Sequence, residues 1–233
     1  MLISRLTNAA GDELNDLEPG FEHTRWPLAN LFEYIQQAVE AIAVVRPELF
    51  TVSRTVRLQP GRQQRIPEDF SQLFDVSNNV DAQGNVTTPV LPGSYNLSRN
   101  FYQITCDEGA GAVSSFNVDA SSPRTFSVIP TANEYPAQYV QIRGQLKIDP
   151  IASVAQQLDF PGGDIGKYYN AILDWVLYRS FMKDTESQSS LARAVQHYKA
   201  FYQFLGVKEK VDRANRADRS TDPRKVMDNE SDI

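Results

Sequence analysis

The sequence predicts an α+β fold: a helical bundle with a large β-rich insertion and an extended C-terminal tail. Three observations carry this. Apolar residues recur at helical spacing toward both ends, polar–apolar alternation fills the middle, and the last stretch has neither an aromatic residue nor a Leu. The boundaries read as 1–48 for the N-terminal helical part, 49–150 for the insertion, 151–206 for a helical hairpin completing the bundle, and 207–233 for the tail.

A short helix is predicted within Leu2 to Leu17. From Trp26 on, Leu28, Leu31, Phe32, Ile35, Val39 and Ile42 keep i, i+3, i+4, i+7 spacing. Pro27 suits the first turn, where its missing N–H costs nothing, and Pro47 closes the segment. Thr51 to Leu58 alternates as a strand does, and Pro60-Gly61 turns it toward Gln64-Arg65-Ile66. Leu73 to Val80 is a second strand, with a turn at Asp81 to Asn85 before Val86. Pro89 to Gly111, rich in Gly, Pro, Ser and Asn, reads as irregular. Ser115 to Val118 and Thr125 to Ile129 flank a turn at Asp119 to Pro123, and Tyr139 to Ile148 is the final strand.

After the Pro161-Gly162-Gly163 break, Asp164 is a natural N-cap. The helix it opens would carry Ile165, Tyr168, Tyr169, Ile172, Trp175, Val176 and Phe181 on its core face. A last helix runs from about Ser189 to Leu205, with Leu191, Ala194, Val195, Tyr198, Tyr202 and Leu205 inward and Gly206 as the C′ residue that stops it. The short polar link Asp184 to Gln188 predicts that these two helices are antiparallel.

Composition sets limits on function. The 233 residues are 41% hydrophobic and 22% charged, the make-up of a soluble globular protein. A formal net charge of −6 argues against a general nucleic-acid binder that tracks phosphates with a basic surface. No apolar run approaches the length of a membrane span. The opening MLISRLTNAAGDELNDLE is acidic and lacks the apolar core of a signal peptide, so export is not expected. Cys106, the single cysteine, fits a protein assembled in a reducing cytoplasm, which leaves the sequon Asn96-Leu97-Ser98 without a role.

No nucleophile, base and orienting group come together in the sequence, so no enzyme, cofactor or metal site is expected. His23 and His197 are far apart, and a lone cysteine argues against structural zinc. The acids Asp107 and Glu108 beside Cys106 oppose thiolate formation. Gly109-Ala110-Gly111 and Gly162-Gly163-Asp164-Ile165-Gly166-Lys167 are glycine-rich without the spacing of a phosphate loop. Arg54, Arg57, Arg62 and Arg65 form a basic stretch, either a solvated strand face or a contact for an acidic neighbour. Aromatic residues crowd the last two helices more than one intrachain face requires. Trp175, Tyr178, Tyr198 and Phe201 are the candidate subunit-interface residues, since Tyr and Trp are enriched at such surfaces.

Several segments, in order, resemble a known family. They are Arg25-Trp26-Pro27-Leu28 with Arg46-Pro47-Glu48-Leu49-Phe50, then Val56 to Pro67, Phe116-Asn117-Val118-Asp119, and Pro123 to Pro130. Leu173 to Asp184 comes next, leading to His197-Tyr198-Lys199-Ala200-Phe201 and Leu205-Gly206. From about Trp26 to Gly206 the chain resembles the head-to-tail adaptor (connector) proteins of tailed bacteriophages, short-tailed phages above all. The ordered set carries the resemblance, since no single motif is specific, and Asn96 to Gly111 matches least well.

The resemblance implies a structural virion protein of the neck, assembled in the host cytoplasm. It would form a homo-oligomeric ring of twelve copies that joins the portal protein to a tail tube or nozzle protein. Genomic DNA would pass through the channel without sequence-specific binding, and no membrane would be involved. It further implies that the tail reaches along the portal. Lys208, Lys210, Arg213, Arg216, Arg219, Arg224 and Lys225 are then the portal-docking residues. The tail's 27 residues would span roughly 90 Å extended and about 40 Å as a helix. Two other functions compete: a tail-terminator or tail-tube protein, and a glycan-binding receptor-recognition module that uses exposed Tyr and Asn side chains.

Overall fold

The computed structural model describes residues 1–93, 112–118, 122, 124–184 and 188–219, with side chains described as far as residue 206. Several sequence expectations fall outside these residues: Asn96-Leu97-Ser98, Cys106, Gly109-Ala110-Gly111, most of the turn before Thr125, and Arg224 and Lys225. The chain is a mixture of helix and sheet, as an α+β protein is, and divides into two compact units. One draws on Met1–Val45, Pro150–Asp159 and the described part of Asp164–Ile233; the other on Arg46–Asp149 and Phe160–Gly163.

In the helical unit, α1 (Ile3–Leu14) buries Ile3, Leu6, Thr7, Ala10, Gly11 and Leu14, one stripe at helical spacing. Its first amides have no partner within the helix and find acceptors elsewhere: Ile3 and Ser4 donate to the carbonyls of Gln156 and Val154. Asn15, in the left-handed region, ends the helix, and Asp16 N–H closes back on the Gly11 carbonyl at 2.9 Å. Gly11 has to be small, because a Cβ there would lie 2.7 Å from the Leu17 side chain.

Helix α2 (Leu28–Val45) begins one residue after Pro27, whose carbonyl accepts the Asn30 and Leu31 amides. It buries Leu31, Tyr34, Ile35, Ala38, Val39, Ile42 and Ala43. Asp164 is a cap, but of a 3₁₀ turn, Ile165–Tyr168, whose Gly166 N–H its side chain accepts at 2.8 Å. That turn leads into α3 (Tyr169–Lys183), so the α-helix begins four residues later than an N-cap at Asp164 suggests.

Helix α4 (Gln188–Arg219) corrects the sequence reading twice. It does not stop at Gly206 but continues to Arg219. One glycine costs a helix interior only about 1 kcal/mol, and the next residues, rich in Lys, Glu, Ala and Arg, favour helix. Its core face is also rotated. Ser190, Ala194, Phe201 and Leu205 are buried, while Leu191, Val195, Tyr198 and Tyr202 are 41–49% exposed. The α3–α4 pair is antiparallel as expected: Tyr168 meets Phe204, Trp175 meets Phe201, Phe181 stacks on His197, and Ser190 donates to Asp184.

Among the described residues of the β unit, a 3₁₀ turn (Pro47–Phe50) leads to eight strands: β1 (Thr51–Arg57), β2 (Gly61–Arg65), β3 (Phe70–Val80), β4 (Val86–Pro89), β5 (Leu91–Pro92), β6 (Ser115–Val118), β7 (Thr125–Ala132) and β8 (Tyr139–Leu146). They form two four-stranded sheets, ordered β1-β8-β3-β4 and β2-β7-β6-β5. All pairs are antiparallel except β5 with β6. Alternate residues of both sheets, among them Phe70, Val76, Ile142, Phe116, Phe126 and Val128, fill one hydrophobic core. The buried Asn79 amide fixes Val113 in this core, bonding both its N–H and its C=O. The expected strands are present. β5 lies in a stretch read as irregular, being only two residues long.

Gly162 and Gly163 serve packing. A Cβ on Gly162 would lie 2.1 Å from the Glu48 carbonyl oxygen and one on Gly163 2.6 Å from Leu49 Cδ2, while Gly162 N–H donates to the Leu49 carbonyl at 2.8 Å.

Candidate functional site

The two apolar stripes of α4 divide its labour. The Ala194–Phe201–Leu205 stripe packs inside the helical unit. The other, Leu191, Val195, Tyr198 and Tyr202, repeats at i, i+4, i+7 and i+11 and is only half covered by the described residues. Beside it on α3 stand Trp175 and Tyr178, half-buried, and the exposed Met182.

The rings form one connected cluster. Trp175 lies 4.8 Å from Phe201, 5.4 Å from Tyr178, 6.5 Å from Tyr198 and 6.3 Å from Tyr202, measured between centroids. Tyr178 and Tyr198 are 5.1 Å apart, Tyr198 and Tyr202 4.9 Å. Such tilted and edge-on contacts are favourable arrangements of aromatic quadrupoles. The Trp175 indole N–H is enclosed and has no hydrogen-bond partner among the described residues. Burial pushes the Tyr202 phenol above its ordinary value, and the neighbouring Tyr198 and Tyr178 phenols add to this, so it remains a proton donor.

Other groups brace the hairpin. His197 Nδ1 and Asp174 Oδ1 are 2.8 Å apart, and Arg193 lies over the Phe181 ring. Arg179 lies over the Tyr34 ring of α2. Arg25, stacked on Trp26, pairs with Asp184 at 2.6 Å, and the Trp26 indole donates to the Ser180 carbonyl.

Of the four candidate interface residues, Trp175, Tyr178 and Tyr198 come together at this surface, and Phe201 lies fully buried beneath them. Tyr202, Val195 and Leu191 also belong to the surface, although the sequence pattern places them inward. The available signal was the second apolar stripe on one helix, twelve residues long from Leu191 to Tyr202. Lys208, Lys210, Arg213, Arg216 and Arg219 fall on the helical backbone of α4, with side chains outside the described residues.

The basic stretch of the β unit is partly neutralised. Arg54 grips Asp69 at 2.7 and 2.9 Å and holds that carboxyl below its usual range, chiefly through the hydrogen bond. Arg57 and Arg65 line a hollow of about 350 Å³ with Gln59, Gln63 and Phe126. Among the described residues no helix is long and apolar enough to cross a membrane.

Fold and surface together define the class: an α+β protein with a helical unit that presents an open aromatic face and a separate two-sheet unit. A family model described as SU10 adaptor protein matches residues 1–226, and the chain belongs to that family. The match agrees with the resemblance to phage head-to-tail adaptors and makes the chain a phage structural protein of adaptor type. No curated protein matches the chain.

Proposed function

We propose that this chain is a head-to-tail adaptor of the virion neck. Copies close into a ring, twelve by the resemblance, that joins the portal protein to a tail tube or nozzle protein and extends the DNA channel. The role is structural and non-enzymatic. In this reading the helical unit is a bundle that packs side by side with its neighbours, and the β unit is an insertion within it. The observation that carries the proposal is the aromatic face of α3 and α4. Trp175, Tyr178, Tyr198 and Tyr202 crowd a surface that the described residues leave partly open, in a member of an adaptor family. Aromatic residues of this kind anchor protein interfaces, whereas a monomer gains nothing by exposing them.

The net charge of −6 fits a channel through which DNA slides without sticking. The basic residues of α4 beyond Gly206, from Lys208 to Arg219, with Arg224 and Lys225 further on, would dock the portal through acidic patches.

The test is to mix the purified protein with portal rings of the same phage and image the product by electron microscopy. A closed ring seated beneath the portal is the expected result. Protein that binds tail subunits and leaves portals bare would overturn the assignment in favour of a tail-terminator.

A further inference from the structure

A closed ring is built from heterologous contacts, in which two different patches on each copy meet. If the copies form a ring as proposed, the aromatic face needs a counterpart elsewhere on the same chain, and the pairing of the two rests on that reading. In the helical unit α1 leaves exposed only Arg5, Asn8, Asp12 and Glu13, with no large apolar group. Helix α2 offers more. Glu33, Gln37, Glu40 and Val44 succeed one another at i, i+4, i+7 and i+11, on the side away from its buried stripe. Val44, 83% exposed, is the most exposed large apolar side chain among the described residues.

The two surfaces are chemically opposite. Leu28–Val45 contains two carboxylates and no base, whereas α4 from Gln188 to Gly206 contains Arg193 and Lys199 and no acid. Glu33 and Glu40 each accept one bond from a glutamine of their own helix, through a single oxygen, and so keep acceptor capacity for an outside donor. The aromatic face supplies donors: the phenols of Tyr178, Tyr198 and Tyr202, and the Lys199 ammonium one turn beyond Val195.

We infer that the α3–α4 face of one copy receives the outward stripe of α2 from the next, with phenol and ammonium donors meeting Glu33 and Glu40 and Val44 seated against the aromatic rings. The contact is heterologous and gives each copy one donor face and one acceptor face, as ring closure requires.

Glu40→Cys and Val195→Cys, combined in a Cys106→Ser background, test the pairing. In rings assembled on portals, mild oxidation is expected to give a ladder of covalent multimers with both cysteines present, and no ladder with either alone. A charge exchange tests it without cross-linking: Lys199→Glu weakens ring assembly by roughly tenfold, and adding Glu40→Lys restores it. Wild-type protein that never forms rings removes the ring reading and the pairing together. Closed rings in which the double-cysteine protein gives no ladder and Lys199→Glu has no effect remove the pairing alone.

Discussion

Asp16 lies in the loop between α1 and α2, and each of its carboxylate oxygens accepts a backbone N–H, from Arg25 at 3.1 Å and from Trp26 at 2.9 Å. Its own carbonyl accepts the His23 amide at 2.8 Å. These bonds fix the approach to α2 and seat the Trp26 ring in the core, where only 5% of the residue is exposed. Asp16→Ala removes both side-chain acceptors and leaves the buried Trp26 amide without a partner, which costs about 1–3 kcal/mol. Both tryptophans, Trp26 and Trp175, belong to the helical unit, so urea unfolding followed by tryptophan fluorescence reads the loss there directly. An unchanged midpoint in the Asp16→Ala protein would mean that the loop is held by other contacts. Asp16 had no sequence signal of its own, because it acts nine and ten residues away through backbone amides that no periodicity reveals.

At the scale of elements, the sequence was legible wherever one face alone is apolar. α2 and the strands β1, β6, β7 and β8 lie where their alternation or helical spacing puts them, since one-sided burial leaves a single consistent pattern. α4 was not fully legible. Its stripes at 190/194/201/205 and 191/195/198/202 both repeat at helical spacing, and a periodicity does not say which of two stripes meets α3. The same ambiguity hid half of the candidate site: crowding pointed to Trp175, Tyr178 and Tyr198, while the spacing put Tyr202 in the core. Gly206 misled for a different reason. A glycine after an apolar run commonly marks a helix end, yet here the helix passes through it, and a Cβ added at Gly206 meets nothing within 4 Å among the described residues. Gly206→Ala is therefore expected to stabilise the helical unit by about 0.5–1 kcal/mol, through helix propensity and a less flexible unfolded chain. Urea unfolding followed by tryptophan fluorescence tests this. Destabilisation would mean that Gly206 holds a left-handed cap that only glycine adopts.

For the whole molecule, the folded core and the proposed portal-docking segment lie in different parts of the chain. The β unit takes nothing from beyond Gly163. The hairpin core of the helical unit is complete by Leu205, the last fully buried residue described in α4. Residues 207–219 carry five bases against three acids along the continuing helix, and 220–233 carry two bases against four acids. Two truncations separate the contributions. Ending the chain after Arg219 removes Arg224 and Lys225 and keeps the helix, whereas ending it after Gly206 also removes Lys208, Lys210, Arg213, Arg216 and Arg219. Both shortened proteins keep the aromatic face and the α2 stripe, so both should remain folded and keep their lateral contacts. Binding to portal rings should fall chiefly with the second cut, which removes the segment where bases outnumber acids. Proteins that keep residues 207–219 should show steeper weakening with added salt than the chain ending at Gly206, because exposed charge contacts are screened. Sedimentation with portal rings across a salt series measures this. If the chain ending at Gly206 binds portals as well as the full-length protein does, docking belongs to the folded units and the C-terminal segment has another role.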